Sequence, residues 1–259
     1  ATLARDLDYL ASDALRGRDT GSVGFDAAAR FIEQRLRTAG LAPAGDHGTY
    51  RQHYELRELR VNTSGASMVI GGRRYAFGDD FILRSFAGPL DGTVPVVYVG
   101  HGWHAPQRGL DPWRGVDVKG ALVLAHGPRA LPKGVTIPQV GRVPVGASSV
   151  FTEAKTRGAV GVLFLSSSNP KDDWLTMQAA NLVRRELDPP VSSAYAAPPV
   201  TSLLLASSTR DALLQGEAVD GPTLMRRGEA GDFPRSFRLR KRVSVRIPLL
   251  AIAGERPFN

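Results

Sequence analysis

The 259-residue sequence contains no cysteine. Disulfide bonds, thiolate metal sites and cysteine nucleophiles are therefore excluded. No run approaches the roughly 20 apolar residues that a membrane-spanning helix needs, so we expect no membrane partner. The hydrophobic fraction of 42% and the charged fraction of 22% are ordinary for a folded protein, and the chain is long enough to bury a substantial core.

Lysine is scarce, since only five of the 33 basic residues are lysine and the rest are arginine. The formal net charge is +8. A basic excess of this size is one mark of nucleic-acid binders, and that class stays open as an alternative. Because an arginine excess is also typical of a GC-rich genome, we favour that interpretation and expect no nucleic-acid partner.

The motifs that concentrate catalytic chemistry are missing as well. No histidine stands in a His-x-Asp or His-Glu-x-x-His context, the spacings that bring zinc ligands together. His101 and His104 form a His-x-x-His pair, but Gly102 and Pro106 predict a loop there rather than a helix. The other histidines are His47, His53 and His126.

Signatures for activated serine and for phosphate binding are also absent. The sequence has no Gly-x-Ser-x-Gly elbow and no Gly-x-x-x-x-Gly-Lys-Ser/Thr loop. The acidic pairs Asp79-Asp80 and Asp172-Asp173 favour turn or cap roles, because adjacent side chains point to opposite faces of a strand. We therefore predict no catalytic residue, no metal ligand and no cofactor site in this chain. A hydrolase whose Ser, His and Asp are dispersed along the sequence remains an alternative.

Two amphipathic helices are predicted within residues 1–41. Leu3, Leu7 and Leu10 recur at helical spacing in the first. Phe25, Ile32 and Leu36 share one face of the second, and Gly40-Leu41 is a helix stop signal.

From residue 50 onward the pattern becomes that of β-structure with short helices. Gly71-Gly72 predicts a hairpin between two short strands. Further strands are predicted over 94–99, 121–125, 160–165 and 200–206, helices over 148–157 and 208–214, and Pro-rich connections over 127–147 and 186–199.

The clearest strand lies at 236–247, where apolar residues alternate with arginine and serine. Only Lys241 breaks its apolar face. The outer face is basic, and we interpret it as solvated or as a docking surface. Its basic residues, with those next to it, are Arg235, Arg238, Arg240, Arg242 and Arg246.

An ordered set of sequence blocks covers nearly the whole chain and resembles one known family. Leu10 to Gly24, followed by the second helix, Gly40 to Gly45 and Tyr50 to Tyr54, is similar to the N-terminal segment of bacterial di-zinc aminopeptidases of metallopeptidase family twenty-eight. Later blocks resemble the protease-associated domain inserted in these enzymes: Val96 to Gly102, Leu110 to Leu124, Glu153 to Phe164, and Pro199 to Leu203.

The resemblance implies an α+β fold, with an N-terminal helical pair over 1–45 before a β-rich protease-associated domain with flanking helices over 46–259. In the family, the zinc ligands and the general-base glutamate lie in a peptidase domain after this region, and the chain stops at Asn259, about where that domain should begin. No ligand motif can be carried over, so zinc is expected only in that further domain.

The function that the resemblance implies is therefore a non-catalytic accessory region of a secreted or periplasmic aminopeptidase-like protein. It would mediate substrate access or protein contacts, with the peptidase domain or a peptide or protein substrate as its partner. The helical pair should then expose an apolar face, including Phe25, Ile32 and Leu36, or have it covered by a neighbouring chain. A stand-alone peptide-binding or protein-binding module is the alternative.

Overall fold

The structure, a computed structural model, describes residues 2–52, 55–85, 87–127, 130–135, 147–165, 174, 182–188 and 200–252. The chain divides into two compact units, one built around residues 1–58 and the other around 59–184 and 195–251. The α+β fold class with N-terminal helices is confirmed. No helix in the described part is long and apolar enough to cross a membrane.

Both predicted N-terminal helices are present in the first unit. Helix α1 spans Thr2–Ala11 and helix α2 spans Val23–Thr38. The hydroxyl of Ser22 accepts the N–H of Phe25 at 3.1 Å and so caps the start of α2. Gly40 ends this helix in a left-handed conformation with φ of 74°, as its sequence predicts.

The two helices are joined by a short turn and by a few side-chain contacts. Asp6 forms an ion pair with Arg35, and the rings of Tyr9 and Phe31 lie 4.5 Å apart between their centroids. At Gly24, a Cβ atom would lie only 1.8 Å from the carbonyl oxygen of the buried Leu15. The turn therefore packs closely on the first residues of α2.

A mixed eight-stranded sheet dominates the second unit. Its strands are β2 Ser67–Ile70, β3 Arg73–Ala76, β4 Phe81–Ser85, β5 Leu90–Tyr98, β6 Leu122–Ala125, β7 Gly161–Leu165, β9 Ser202–Leu205 and β10 Phe237–Ile247. They lie in the order β3-β2-β10-β5-β6-β7-β9-β4. Strands β5, β6, β7 and β9 are parallel to one another, and the remaining pairs are antiparallel. A three-stranded sheet has the order β11-β1-β8, with β1 Glu55–Val61, β8 Val183–Asp188 and β11 Leu249–Ile252.

Strands β6, β7 and β9, with Val96–Tyr98 of β5, are buried on both faces, which explains their apolar sequences. Helices α4 (Ser207–Leu214) and α5 (Gly221–Glu229) contribute leucines to the core on one face, where Leu122, Leu124 and Leu163 lie. Helix α3 (Val150–Thr156) packs on the other face.

Several elements differ from the sequence predictions, and strands β8 and β11 have no predicted counterpart. Helix α5 was not predicted, although Asp220 and Pro222 are a start signal, and Asp220 Oδ1 does accept the N–H of Thr223 at 2.8 Å. The predicted connection over 186–199 begins too early, because β8 continues to Asp188. Most of that connection, and residues 128–129 and 136–146 of the predicted connection over 127–147, lie outside the described residues.

Candidate functional site

A group of aromatic and histidine side chains lies at the carboxyl ends of the parallel strands, the edge where α/β sheets commonly bind ligands. Tyr98 is the last residue of β5, and His126 follows the last residue of β6. The Tyr98 hydroxyl lies 3.1 Å from Nε2 of His126. His101, three residues after β5, accepts the N–H of Trp103 at its Nδ1 atom, 3.1 Å away.

Burial keeps these groups uncharged. His101 and His126 are 8% and 4% exposed. Desolvation lowers the pKa of each histidine to about 4, and for His126 repulsion from Arg210, and from His101 whenever it is protonated, acts in the same direction. Burial also raises the pKa of Tyr98, so a protonated phenol and a neutral imidazole share the hydrogen bond between Tyr98 and His126.

The buried pair is covered by two residues from the C-terminal part of the chain. The ring of Phe233 packs edge-on against both imidazoles, with centroid distances of 5.2 Å to His101 and 5.1 Å to His126. Gly228 of α5 lies so close that a Cβ atom there would be 2.3 Å from Cε1 of His126. These contacts leave the imidazoles packed as core groups.

A second polar cluster, which we call the His104 cluster, joins the loop after β5 to the start of α3. His104 Nδ1 lies 3.3 Å from Oε1 of Glu153, and its Nε2 lies 3.7 Å from Oδ1 of Asp111. Ser148 donates its hydroxyl to Glu153, and Arg157 Nε donates to the same carboxylate at 2.9 Å. Backbone hydrogen bonds between residues 104 and 148 run in both directions.

The His104 cluster has the residue types of a hydrolytic triad but not its arrangement. Burial alone would raise the pKa of Glu153, but hydrogen bonds from Ser148 and Arg157, with the charges of His104 and Arg157, outweigh it and lower that pKa. Ser148 donates to the carboxylate of Glu153 and not to the imidazole of His104, so the serine–imidazole–carboxylate order of a triad is not formed. The geometry anchors the loop to α3.

The structure does not combine His101 and His104, the pair weighed from the sequence as a metal site, into one site. His101 and His104 engage different partners, and His47 is exposed. In the described ranges, no group of three or more His, Cys, Asp or Glu residues could hold a metal ion. His53 and the Asp172-Asp173 pair lie outside those ranges, so the expected absence of ligands stays a prediction.

Other singled-out positions have structural roles. Asp80 Oδ2 accepts the N–H of Ala76 at 2.8 Å, the turn role that its sequence favours. Sequence reasoning missed both acidic partners of His104, because Glu153 lies 49 positions away and no motif links His104 to Asp111. The only available signal was the pair of serines at 148 and 149, which predicted a helix start but no contact.

The basic strand β10 has the two faces that its alternation predicts. Lys241, the exception on the inner face, donates through Nζ to the carbonyl oxygens of Ala212 and Gln215 at 2.7 and 2.6 Å. It therefore satisfies carbonyl groups at the end of α4. The residues Arg238, Arg240, Arg242 and Arg246 are all exposed.

The sequence matches no protein-family profile and no curated protein. Among solved structures, it is similar to an aminopeptidase from Aneurinibacillus sp. strain AM-1, with 14% identity and a TM-score of 0.43 over 96% of this chain and 45% of that one. It is also similar to a zinc aminopeptidase from Bacillus subtilis, with 12% identity and a TM-score of 0.33 over 95% of this chain and 43% of that one.

A third similar structure is a psychrophilic subtilisin-like protease from Pseudoalteromonas sp. AS-11, with 14% identity and a TM-score of 0.26 over 74% of this chain and 35% of that one. The chain spans less than half the length of each of these three proteins. Likeness at this level assigns no activity to the chain.

Proposed function

We propose that the chain is a non-catalytic accessory region of a secreted zinc-aminopeptidase-like protein, in which α1 and α2 dock on a peptidase domain. The observation that carries the proposal is the exposed apolar surface of the helical pair. Leu3 and Leu7, one turn apart on α1, are 73% and 58% exposed, and Ile32 on α2 is 46% exposed. Phe25 and Leu36, expected on the same exposed face, are half-buried.

An exposed leucine pair on so short a helix favours a binding role. Full burial of a leucine side chain contributes about 1.5–3 kcal/mol, so burying Leu3 and Leu7 would stabilise a complex substantially. A helix of ten residues is marginal by itself in water, and few side-chain contacts join α1 to α2. A docking partner that covers these leucines would also stabilise the helix.

The polar groups of the second unit support the non-catalytic part of the proposal. The buried imidazoles of His101 and His126 are covered by Phe233, and the carboxylate of Glu153 is engaged by three neighbours. The sequence resemblance supplies the identity of the partner, because the family places its zinc-binding peptidase domain after this region. Substrate access or protein contact would then be the task of the β-rich unit.

The first test is to read the gene beyond the codon for Asn259. The proposal expects a continuing frame that encodes a His-x-Asp motif and a later Glu-Glu pair. A stop codon there, or a continuation without zinc-ligand motifs, would overturn it and favour the stand-alone binding module.

The second test compares one double substitution in two proteins. Leu3→Gln with Leu7→Gln should change the free energy of unfolding of the 259-residue chain by less than about 0.5 kcal/mol, because both side chains are exposed. In the full-length parent the same pair should cost at least about 2 kcal/mol, since it removes a buried contact. Leu250→Gln, at a leucine that is 48% exposed in β11, is the matched control and should be neutral in both. Equal effects in chain and parent would contradict docking through α1.

A further inference from the structure

The outer face of β10 and its neighbours carries a concentration of arginine that the accessory role does not use. Arg238, Arg240 and Arg242 stand at alternate positions, and Arg246 follows beyond Ser244. Arg74 of β3 lies on the same surface, because Ser244 of β10 pairs with Val69 of β2 and Val69 pairs with Arg74. Directly paired residues share a face of a sheet, so these five exposed guanidinium groups form one surface, the arginine face.

Few acids neutralise the arginine face. Asp91 lies 3.8 Å from Arg246, and both side chains are more than half exposed. Arg242 donates to the carbonyl oxygen of Thr93 at 2.6 Å. The guanidinium groups of Arg238, Arg240 and Arg74 have no ion-pair or hydrogen-bond partner among the residues that the structure describes, so their charges are available to a ligand.

The backbone beneath these side chains is fixed. The register between β10 and β5 shifts between Arg238 and Arg242, and Glu217 accepts the N–H groups of Arg240 and Lys241 at 2.9 and 3.1 Å. The carboxylate of Glu217 therefore satisfies backbone N–H groups that a β-bulge would otherwise leave without an acceptor. The inward Lys241 further ties the strand to α4. The arginines are therefore presented from a rigid surface, which reduces the entropy lost on binding.

We propose that the arginine face binds an acidic segment of a protein partner. Alternate residues of a strand lie about 7 Å apart, which matches the spacing of carboxylates at alternate positions of an extended acidic peptide. The guanidinium fork binds carboxylates with two parallel hydrogen bonds. This role goes beyond the docking of the N-terminal helices and does not depend on it.

The chemistry of the face favours a protein over nucleic acid. Single-stranded nucleic acid is bound by basic grooves whose aromatic side chains stack on the bases. Among the described residues of β10, β2 and β3, Phe237 and Tyr75 are the only aromatic residues, and both lie on the inner side of the sheet, packed with its core. A duplex is read by a helix or a two-stranded ribbon in its groove, and β10 is instead an interior strand between β2 and β5.

The test measures binding of a fluorescein-labelled 16-residue peptide with glutamate at alternate positions, by fluorescence anisotropy in 50 mM salt. The proposal expects saturable binding by the 259-residue chain. The affinity for the peptide should fall at least tenfold in the triple variant Arg238→Ser, Arg240→Ser and Arg242→Ser. The matched control removes the same charge at other exposed arginines, by Arg30→Ser, Arg108→Ser and Arg114→Ser, and should weaken binding less than threefold. Circular dichroism and urea unfolding verify that both triple variants are folded.

Three outcomes would overturn the proposal. If the acidic peptide does not bind to the chain, the proposal is wrong. Equal weakening by both triple variants would mean that the peptide responds to net charge rather than to this face. Tighter binding of a labelled 16-nucleotide single strand or a 16-base-pair duplex than of the peptide, lost in the Arg238/Arg240/Arg242 variant, would assign the face to nucleic acid.

Discussion

Acidification should destabilise the chain well above the range in which its carboxylates titrate, because His101 and His126 are buried without charge. Each has its pKa lowered from 6.5 to about 4 by burial. A folded-state pKa below the unfolded one means that the unfolded chain takes up the proton first as the pH falls. The stabilisation is therefore complete above about pH 6.5 and is lost progressively toward pH 4.

The size of the effect follows from the shift. One pKa unit corresponds to about 1.4 kcal/mol, so each histidine contributes about 3 kcal/mol when the full shift is realised. Between pH 7 and pH 5, linkage gives a loss of about 2 kcal/mol per histidine, or about 4 kcal/mol for both. The lowered pKa of Glu153 acts only as the pH falls through the carboxylate range, so the interval from pH 7 to 5 isolates the imidazoles.

Urea unfolding followed by tryptophan fluorescence at pH 5, 6 and 7 measures this loss. His126→Phe and His101→Phe keep an aromatic ring but remove the titration, so each should reduce the pH dependence by about half. His47→Asn, at an exposed histidine with φ of 53°, should leave it unchanged. A change of less than about 1 kcal/mol in the unsubstituted chain, or an unchanged pH dependence in both Phe variants, would refute the reasoning.

Three further substitutions test the packing. Gly228→Ala should lower the free energy of unfolding in urea by about 1–3 kcal/mol or more, because the new Cβ would lie 2.3 Å from Cε1 of His126. Gly88→Ala is the control and should be neutral, because no atom lies within 4 Å of its Cβ; equal effects of the two substitutions would argue against the contact. Glu153→Gln should lower the free energy of unfolding at pH 7 by about 1–3 kcal/mol, since it removes the negative charge that Arg157, Ser148 and His104 contact. A neutral result would mean that the His104 cluster does not anchor the loop. Arg16→Gly should raise the midpoint of thermal unfolding, because Arg16 has a left-handed φ of 48° and glycine adopts that conformation without the strain of about 1 kcal/mol. A lower midpoint would show that the arginine side chain is needed there.

Periodicity was sufficient to predict the elements whose burial has one simple pattern. The alternation over 236–247 gave β10 and its basic outer face, and helical spacing with capping signals gave α1 and α2. The apolar run before His126 also marked a buried strand, so the burial of that histidine was accessible from the sequence.

Contacts between distant segments were not accessible in this way. Phe233 and Gly228 lie more than 100 positions from the histidines that they cover, and no local pattern pairs them. The same holds for Lys241, whose break in an apolar face is explained only by the carbonyl groups of α4. Sequence periodicity reports which side of an element is buried, whereas the partner on that side depends on the topology of the sheet.

Stability and binding should be separable in this chain, because they depend on different residues. The groups that hold the second unit together, such as His126 and Leu224, are buried, whereas Leu3, Leu7 and the arginine face are exposed. Exposed side chains contribute little to folding, so their substitution should change binding while the free energy of unfolding stays within about 0.5 kcal/mol. Conversely, Gly228→Ala should lower stability and leave the affinity of the folded chain for the acidic peptide unchanged. If the arginine substitutions lowered stability as much as affinity, the face would be part of the folded framework rather than a surface kept for a partner.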